Sequence, residues 1–183
     1  MPTFSNASQN IVSARGKTPE FGADVFLAPN AYVIGDVKVG DRASIWYNVT
    51  IRGDVMPIRI GNETNVQDGS VLHGTYGKFG CTLEDRVTVG HQVTLHGCHI
   101  GRETLIGMGS IVMDGAHVGE QCIVGAGSLV TEGTRIPPRS LVFGRPAKVI
   151  RELKPEEIES LRLSADNYLL YKTWYLPEEN SSP

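Results

Sequence analysis

Aromatic side chains, cysteine and net charge are all scarce in this sequence. Of 183 residues, 7% are aromatic and three are cysteine, and 17 Lys and Arg against 20 Asp and Glu leave a net charge of -3. That balance argues against holding nucleic acid through a basic face. No apolar run approaches the ~20 residues that a bilayer-crossing helix needs, so no membrane partner is expected. Residues 1–17 carry no apolar h-region and no cluster of Arg, so neither a secretory signal nor a transit peptide is expected. Cys81, Cys98 and Cys122 are odd in number and form no CxxC pair, which favours a reducing compartment, read here as the cytoplasm. What remains is enough chain for one domain with a real core, and too little for two full-sized ones. With 21 glycines beside so few aromatics, that domain reads as turn-rich β structure.

What the chain does have is a period. From Ile100 an aliphatic residue recurs every six positions, at Ile106, Val112, Val118, Val124, Val130, Ile136 and Val142. Gly follows it at Gly101, Gly107, Gly119 and Gly125, and a small residue sits four positions on, as at Ser110, Ala116 and Ser128. The rhythm also runs through Leu27, Val33, Val39, Ile45 and Ile51, through Ile60, Val66 and Leu72, and through Leu83, Val89 and Leu95. In the early stretch the partners four on are Ala31, Val37, Ala43, Val49 and Val55. Six is no helical period. It suits one short strand plus a turn, three of which close a triangular coil, with anchors pointing inward and stacked ~4.8 Å apart. The pattern is similar to the hexapeptide-repeat family, a resemblance that implies an all-β solenoid: a left-handed parallel β-helix of six to seven coils. After Val142 the rhythm stops, and residues 143–148 are expected to leave the prism. Pro155 at N1, with Glu156 and Glu157 behind it, reads as the start of a C-terminal α-helix running to about Tyr171. The expected organisation is an N-terminal extension at 1–20, the β-helix at 21–147, the helical segment at 148–176 and a tail at 177–183.

The period fails three times: Ile51 to Ile60 is three residues too long, Leu72 to Leu83 five too long, and Leu95 to Ile100 one too short. Breaks in a solenoid extrude loops, and loops on a rigid scaffold carry function. Counting anchors places Ile51, Leu72 and Leu95 on one face of successive coils. Their followers Arg52, His73 and His96 should then point outward in one column. Val66 and Val89 belong to the preceding face, so Gln67 and His91 lie across a prism edge. His91 can join His73 and His96 only if a neighbouring chain supplies it, as in a threefold assembly of parallel prisms. Three imidazoles plus water make an open tetrahedral zinc site. His99 and His117 fit no such column and are read as ordinary surface residues.

The stretches Ile51-Arg52-Gly53-Asp54, Gly61-Asn62-Glu63-Thr64-Asn65-Val66-Gln67-Asp68-Gly69-Ser70-Val71-Leu72-His73 and Val89-Gly90-His91-Gln92-Val93-Thr94-Leu95-His96-Gly97-Cys98 together resemble the γ-class carbonic anhydrase family. The resemblance spans nearly the whole chain, from Phe21 to Tyr171. It implies a homotrimer with a divalent metal (Zn, with Fe and Co as alternatives) at each interface, bound by His73 and His96 of one chain and His91 of the next. It further implies an interface ion pair at Arg52 and Asp54, an interface carboxylate at Asp68, and catalytic roles for Gln67 on the metal-bound solvent and for Tyr168, reaching in from the C-terminal helix. The implied reaction is the reversible hydration of carbon dioxide to bicarbonate by a metal-bound hydroxide.

Two departures qualify that activity. Archetypal members of the family carry a Glu directly after the Arg-x-Asp motif, where this chain has Val55, and an acidic shuttle loop, where residues 74–80 here contain no acid. The alternatives are therefore a hexapeptide acyl-CoA transferase using one His as general base, a thioesterase, and a non-catalytic metal-binding trimer. Cys98, two residues past His96, is a candidate for redox sensitivity.

Overall fold

The computed structural model describes residues 9–175. The expected tail at 177–183 lies outside the described residues, as do residues 1–8 of the expected extension. The chain forms a parallel β-solenoid in which most strands are two or three residues long, followed by an α-helix at Pro155–Tyr171 and a 3-10 turn at Lys172–Tyr175.

Each anchor meets the anchor one coil above it, in parallel register. Ile51 pairs with Leu72, Leu72 with Leu95, Leu95 with Val112 and Val112 with Val130 on the first face. Ile60, Leu83, Ile100, Val118 and Ile136 stack on the second. On the third face Leu27, Ile45, Val66, Val89, Ile106, Val124 and Val142 form the ladder. These seven parallel strands set about seven coils. The anchors are buried almost without exposure, so one continuous core runs up the prism and no coil could bury its share alone. Between anchors the backbone of neighbouring coils comes so close that a Cβ on Gly107 would sit 2.5 Å from the amide nitrogen of Ala126.

Three expectations are corrected. First, Val55 does not take the inward place four after Ile51. The extra residues bulge outward, the ladder shifts register between Gly35 and Val37, and Ile58 fills the core position instead. Second, the chain after Val142 does not simply leave the prism. Ala147–Glu152 folds back antiparallel on Ser140–Gly144 and extends the third sheet by one strand. Third, the expected extension already contains solenoid: Ile11–Val12 and Glu20–Phe21 pair in parallel with Tyr32–Val39.

The helix starts at Pro155, where the Glu157 carboxylate accepts the Lys154 backbone N–H at 2.8 Å. Leu161 and Ala165 are its buried positions. A charged ladder holds it to the prism. Arg42, Glu63, Arg86 and Glu103 occupy the same turn of successive coils with alternating sign, and Glu63 pairs with both arginines. From the helix, Asp166 pairs with Arg86 at 2.8 Å and Arg162 with Glu103 at 3.3 Å. At the far end the buried Lys172 ammonium donates to the Asp24 carboxylate at 2.8 Å and to the Asp24 carbonyl at 2.6 Å. No helix among the described residues is long and apolar enough to cross a membrane.

Candidate metal centre

All three breaks in the period fall at one corner of the prism, between the first and second faces. The outward residues beside that corner are Arg52, Asp54, His73 and His96. His73 and His96 lie in register on adjacent strands, and their ring centroids are 5.2 Å apart. Nδ1 of His73 and Nε2 of His96 face each other at 3.2 Å.

The outer nitrogen of each ring is held by a carboxylate. His73 Nε2 stands 3.1 Å from Asp54 Oδ1, and His96 Nδ1 stands 3.0 Å from Asp114 Oδ2. Each carboxylate has its second oxygen occupied as well: Arg52 Nη1 donates to Asp54 Oδ2 at 2.7 Å, and Thr75 Oγ1 donates to Asp114 Oδ1 at 2.7 Å. Burial works to raise both carboxyls. The hydrogen bonds from Arg52 and His73 outweigh it at Asp54, those from Thr75 and His96 outweigh it at Asp114, and both acids are held below their usual range.

An ionised carboxylate only accepts, so His73 carries its proton on Nε2 and His96 on Nδ1. With both rings neutral, the two nitrogens that face each other both present lone pairs, an arrangement that asks for a cation between them. Their separation suits one. Zinc–nitrogen bonds of 2.0–2.1 Å at a tetrahedral centre put neighbouring nitrogens about 3.3 Å apart. The donor set thus fits a divalent metal. Among the described residues of one chain, no third His, Cys, Asp or Glu closes the site.

His91 stands on the edge between the third and first faces, half exposed, with Nδ1 3.0 Å from Asp68 Oδ2. By the same reasoning its Nε2 bears the free lone pair. Gln67 lies on the same side, buried, and donates from Nε2 to Asn65 Oδ1 at 3.1 Å. That bond begins a buried polar chain through Thr88 to Ser164 on the helix. Tyr168 packs edge-on against Trp46, with ring centroids 5.6 Å apart, and lines a cavity of about 210 Å³ together with Asp68 and His91. Burial, and after it the Asp68 charge, pushes its phenol up to about 12, so it remains a proton donor at neutral pH.

One chain therefore carries two separate groups. Arg52, Asp54, His73 and His96 come together on the first face. Gln67, Asp68, His91 and Tyr168 gather around the adjoining edge. The sequence reading missed Asp114 and Thr75, which belong to the first group. His99 and His117 stand outside that column, as expected, and share one of their own on the second face, stacked with centroids 4.5 Å apart and planes 9° from parallel. Cys98 points into the core, its sulfur 3.9 Å from that of Cys81. The neighbouring Cys81, and then burial, pushes its thiol well up, so it is no accessible sensor.

Residues 18–53 and 97–132 match the family of bacterial transferase hexapeptide repeats (six repeats). A protein of Geobacillus kaustophilus named carbonic anhydrase is 47% identical to this chain over 161 residues, which is 88% of each. The mitochondrial protein of Arabidopsis thaliana named gamma carbonic anhydrase 2 is 41% identical over 179 residues, covering 95% of this chain and 64% of that one. A solved structure from Anaplasma phagocytophilum, of a protein of the hexapeptide transferase family, matches with a TM-score of 0.85 at 42% identity, over 91% of this chain and 98% of that one.

Proposed function

The chain belongs to the γ-class carbonic anhydrase family of hexapeptide-repeat proteins, and from that membership we propose that it is a homotrimeric zinc carbonic anhydrase acting on carbon dioxide and bicarbonate. The observation that carries the reading is the pair of facing nitrogens, His73 Nδ1 and His96 Nε2, 3.2 Å apart and each backed by a carboxylate. A general base would need one such ring; two that converge suit a metal ligand set. His91 of a second copy would complete the set, since its lone pair is unused and it stands at the edge next to the first face. Iron or cobalt would fit the same imidazoles.

Held by His73, His96 and a second copy's His91, zinc would supply Lewis acidity and bring the pKa of water down to about 7. The chain's own residues do the rest. Asp54, Asp114 and Asp68 keep the outer protons on their imidazoles and so fix the tautomers that present lone pairs. Arg52 and Thr75 hold two of those carboxylates still. Tyr168 and the Gln67 amide stand on the His91 side as neutral hydrogen-bonding groups. No acid on residues 74–80 receives the product proton, so it leaves to external buffer. The three cysteines are free, in keeping with cytoplasmic residence.

The deciding experiment is metal per chain by elemental analysis on anaerobically purified protein, with stopped-flow hydration and His91→Ala as control. One metal per chain, lost in His91→Ala while the trimer persists, with buffer-dependent hydration, is the expected result. Metal without hydration at any buffer concentration would move the reading to a thioesterase or a non-catalytic trimer. No metal at all would return it to acyl transfer; the Anaplasma phagocytophilum protein is named for a transferase family.

A further inference from the structure

Both of the chain's tryptophans and four of its six tyrosines stand in one place. Trp46 and Trp174 are the only tryptophans of the sequence, and both line the cavity of about 210 Å³ between the end of the helix and the edge of the prism. Tyr47, Tyr168, Tyr171 and Tyr175 complete its aromatic wall. The rings meet at steep angles: Trp46 and Tyr175 at 82°, Trp46 and Tyr168 at 77°, Tyr168 and Tyr171 at 67°. The rings pack against one another at the rim of this cavity.

The charge of the wall has one sign. No Lys or Arg lines the cavity, and the only carboxylate is Asp68. One of its oxygens accepts from His91, and the other has no hydrogen-bond partner among the described residues. Aromatic faces carry negative potential, and a carboxylate adds to it. The neighbouring phenols register the same field: burial first, and then Tyr175 and Asp68, raise Tyr47 above its ordinary value. The stacked anchors inside the prism are aliphatic, whereas this wall is aromatic.

We propose that this cavity is a binding site for an organic cation, a quaternary ammonium head held by the Trp46, Tyr47, Trp174 and Tyr175 rings with Asp68 as counter-charge. A quaternary head suits it better than a primary ammonium. The latter brings three N–H donors that each need an acceptor, whereas a quaternary head asks only for aromatic faces and a nearby negative charge. The site is lined by one chain and needs no metal, although it shares Asp68, His91 and Tyr168 with the residues proposed for hydration.

Because Trp46 and Trp174 are the only tryptophans, the intrinsic fluorescence of the full chain reads the site directly. The test titrates metal-loaded and metal-free protein with choline and with its neutral carbon isostere, dimethylbutanol. The expected result is a saturable fluorescence change with choline in both forms, and binding of the isostere at least tenfold weaker. Trp174→Leu keeps apolar bulk but loses the aromatic face, on a residue exposed enough for the fold to tolerate the change. It should weaken choline at least fivefold and move the isostere less than twofold, with Trp46 still reporting. Equal binding of the two compounds would reduce the cavity to an apolar hollow and overturn the proposal. So would the absence of any saturable change with choline. Loss of hydration activity leaves this test untouched, and its failure leaves the metal centre standing.

Discussion

Asp54 and Asp114 do the same work from opposite sides of one imidazole pair. Each gives one oxygen to the outer nitrogen of a histidine and the other to a second donor, Arg52 for Asp54 and Thr75 for Asp114. They lie on different coils and arrive by different routes: Asp54 rides the bulge after Ile51, while Asp114 reaches down from the coil above His96.

If both carboxylates fix the tautomers that expose the facing nitrogens, losing either should weaken the metal site. Asp114→Ala is expected to lower zinc affinity about 10- to 100-fold, the usual cost of removing such a partner. Chelator competition on the purified protein measures it. Thr75→Val should cost less, since His96 keeps its carboxylate. An Asp114→Ala protein that binds zinc as tightly as the parent would show that His96 needs no help.

The part of this arrangement that a reader of the sequence can see is the part that breaks the rhythm. The anchors are legible because each must point inward, and counting them puts His73 under His96. Arg52 and Asp54 stand beside a break and draw the eye. Asp114 sits in a regular hexad and breaks nothing; only the three-dimensional stacking of Gly97 beneath it shows that it reaches His96. The His99–His117 stack was missed because the count followed residues after the anchors, and these two precede Ile100 and Val118. The strand Ala147–Glu152 left no signature because all but its first residue are exposed.

Gly97 should be the least replaceable glycine near the site. Its φ is +58°, and a Cβ there would collide with the Asp114 carboxylate and crowd the Phe79 side chain at 2.7 Å. Gly97→Ala is expected to destabilise the fold by about 1–3 kcal/mol through the left-handed backbone and the clash, and to lower metal content by displacing Asp114. Gly133→Ala is the control, with a similar φ of +67° and open space around it. Thermal unfolding and metal analysis on the two variants separate backbone strain from displacement of Asp114. Equal metal content in both would mean that Asp114 finds its place regardless.

The docking of the helix should weaken in acid. Burial tends to raise the Glu103 carboxyl, but the hydrogen bonds from Gln121 and Arg162, with the charges of Arg162 and Arg86, bring it below the usual 4.5. The folded state therefore prefers the ionised form. The sign follows: the contribution is complete above about 4.5 and is lost as the pH falls through the depressed value. Glu103→Gln should lower the midpoint of thermal unfolding at pH 7, and the gap to the parent should close as the pH falls below about 4.5. A gap that stayed constant across that range would place the effect in packing rather than charge.

The most demanding consequence concerns the proton. Hydration would release one at each turnover, and among the described residues around His73 and His96 there is no unpaired carboxylate to accept it: Asp54 and Asp114 each already accept two hydrogen bonds. Val55 stands next to Asp54 and lines an open concavity of about 330 Å³ with Met56 and Tyr76, so a carboxylate there would reach solvent and the site together. In the parent, the hydration rate should rise with buffer concentration until proton acceptance no longer limits it. Val55→Glu should raise the rate in dilute buffer at least tenfold, less than the roughly 10²–10⁴-fold of a fully positioned acid or base, and leave the rate at saturating buffer unchanged. Val55→Gln has the same size without the acid and should behave as the parent does. Stopped-flow hydration across a buffer series for the three proteins decides it. A parent rate that did not change with buffer would mean that proton exit does not limit turnover, and a Val55→Glu that followed a rising parent curve would mean that residue 55 does not carry the proton.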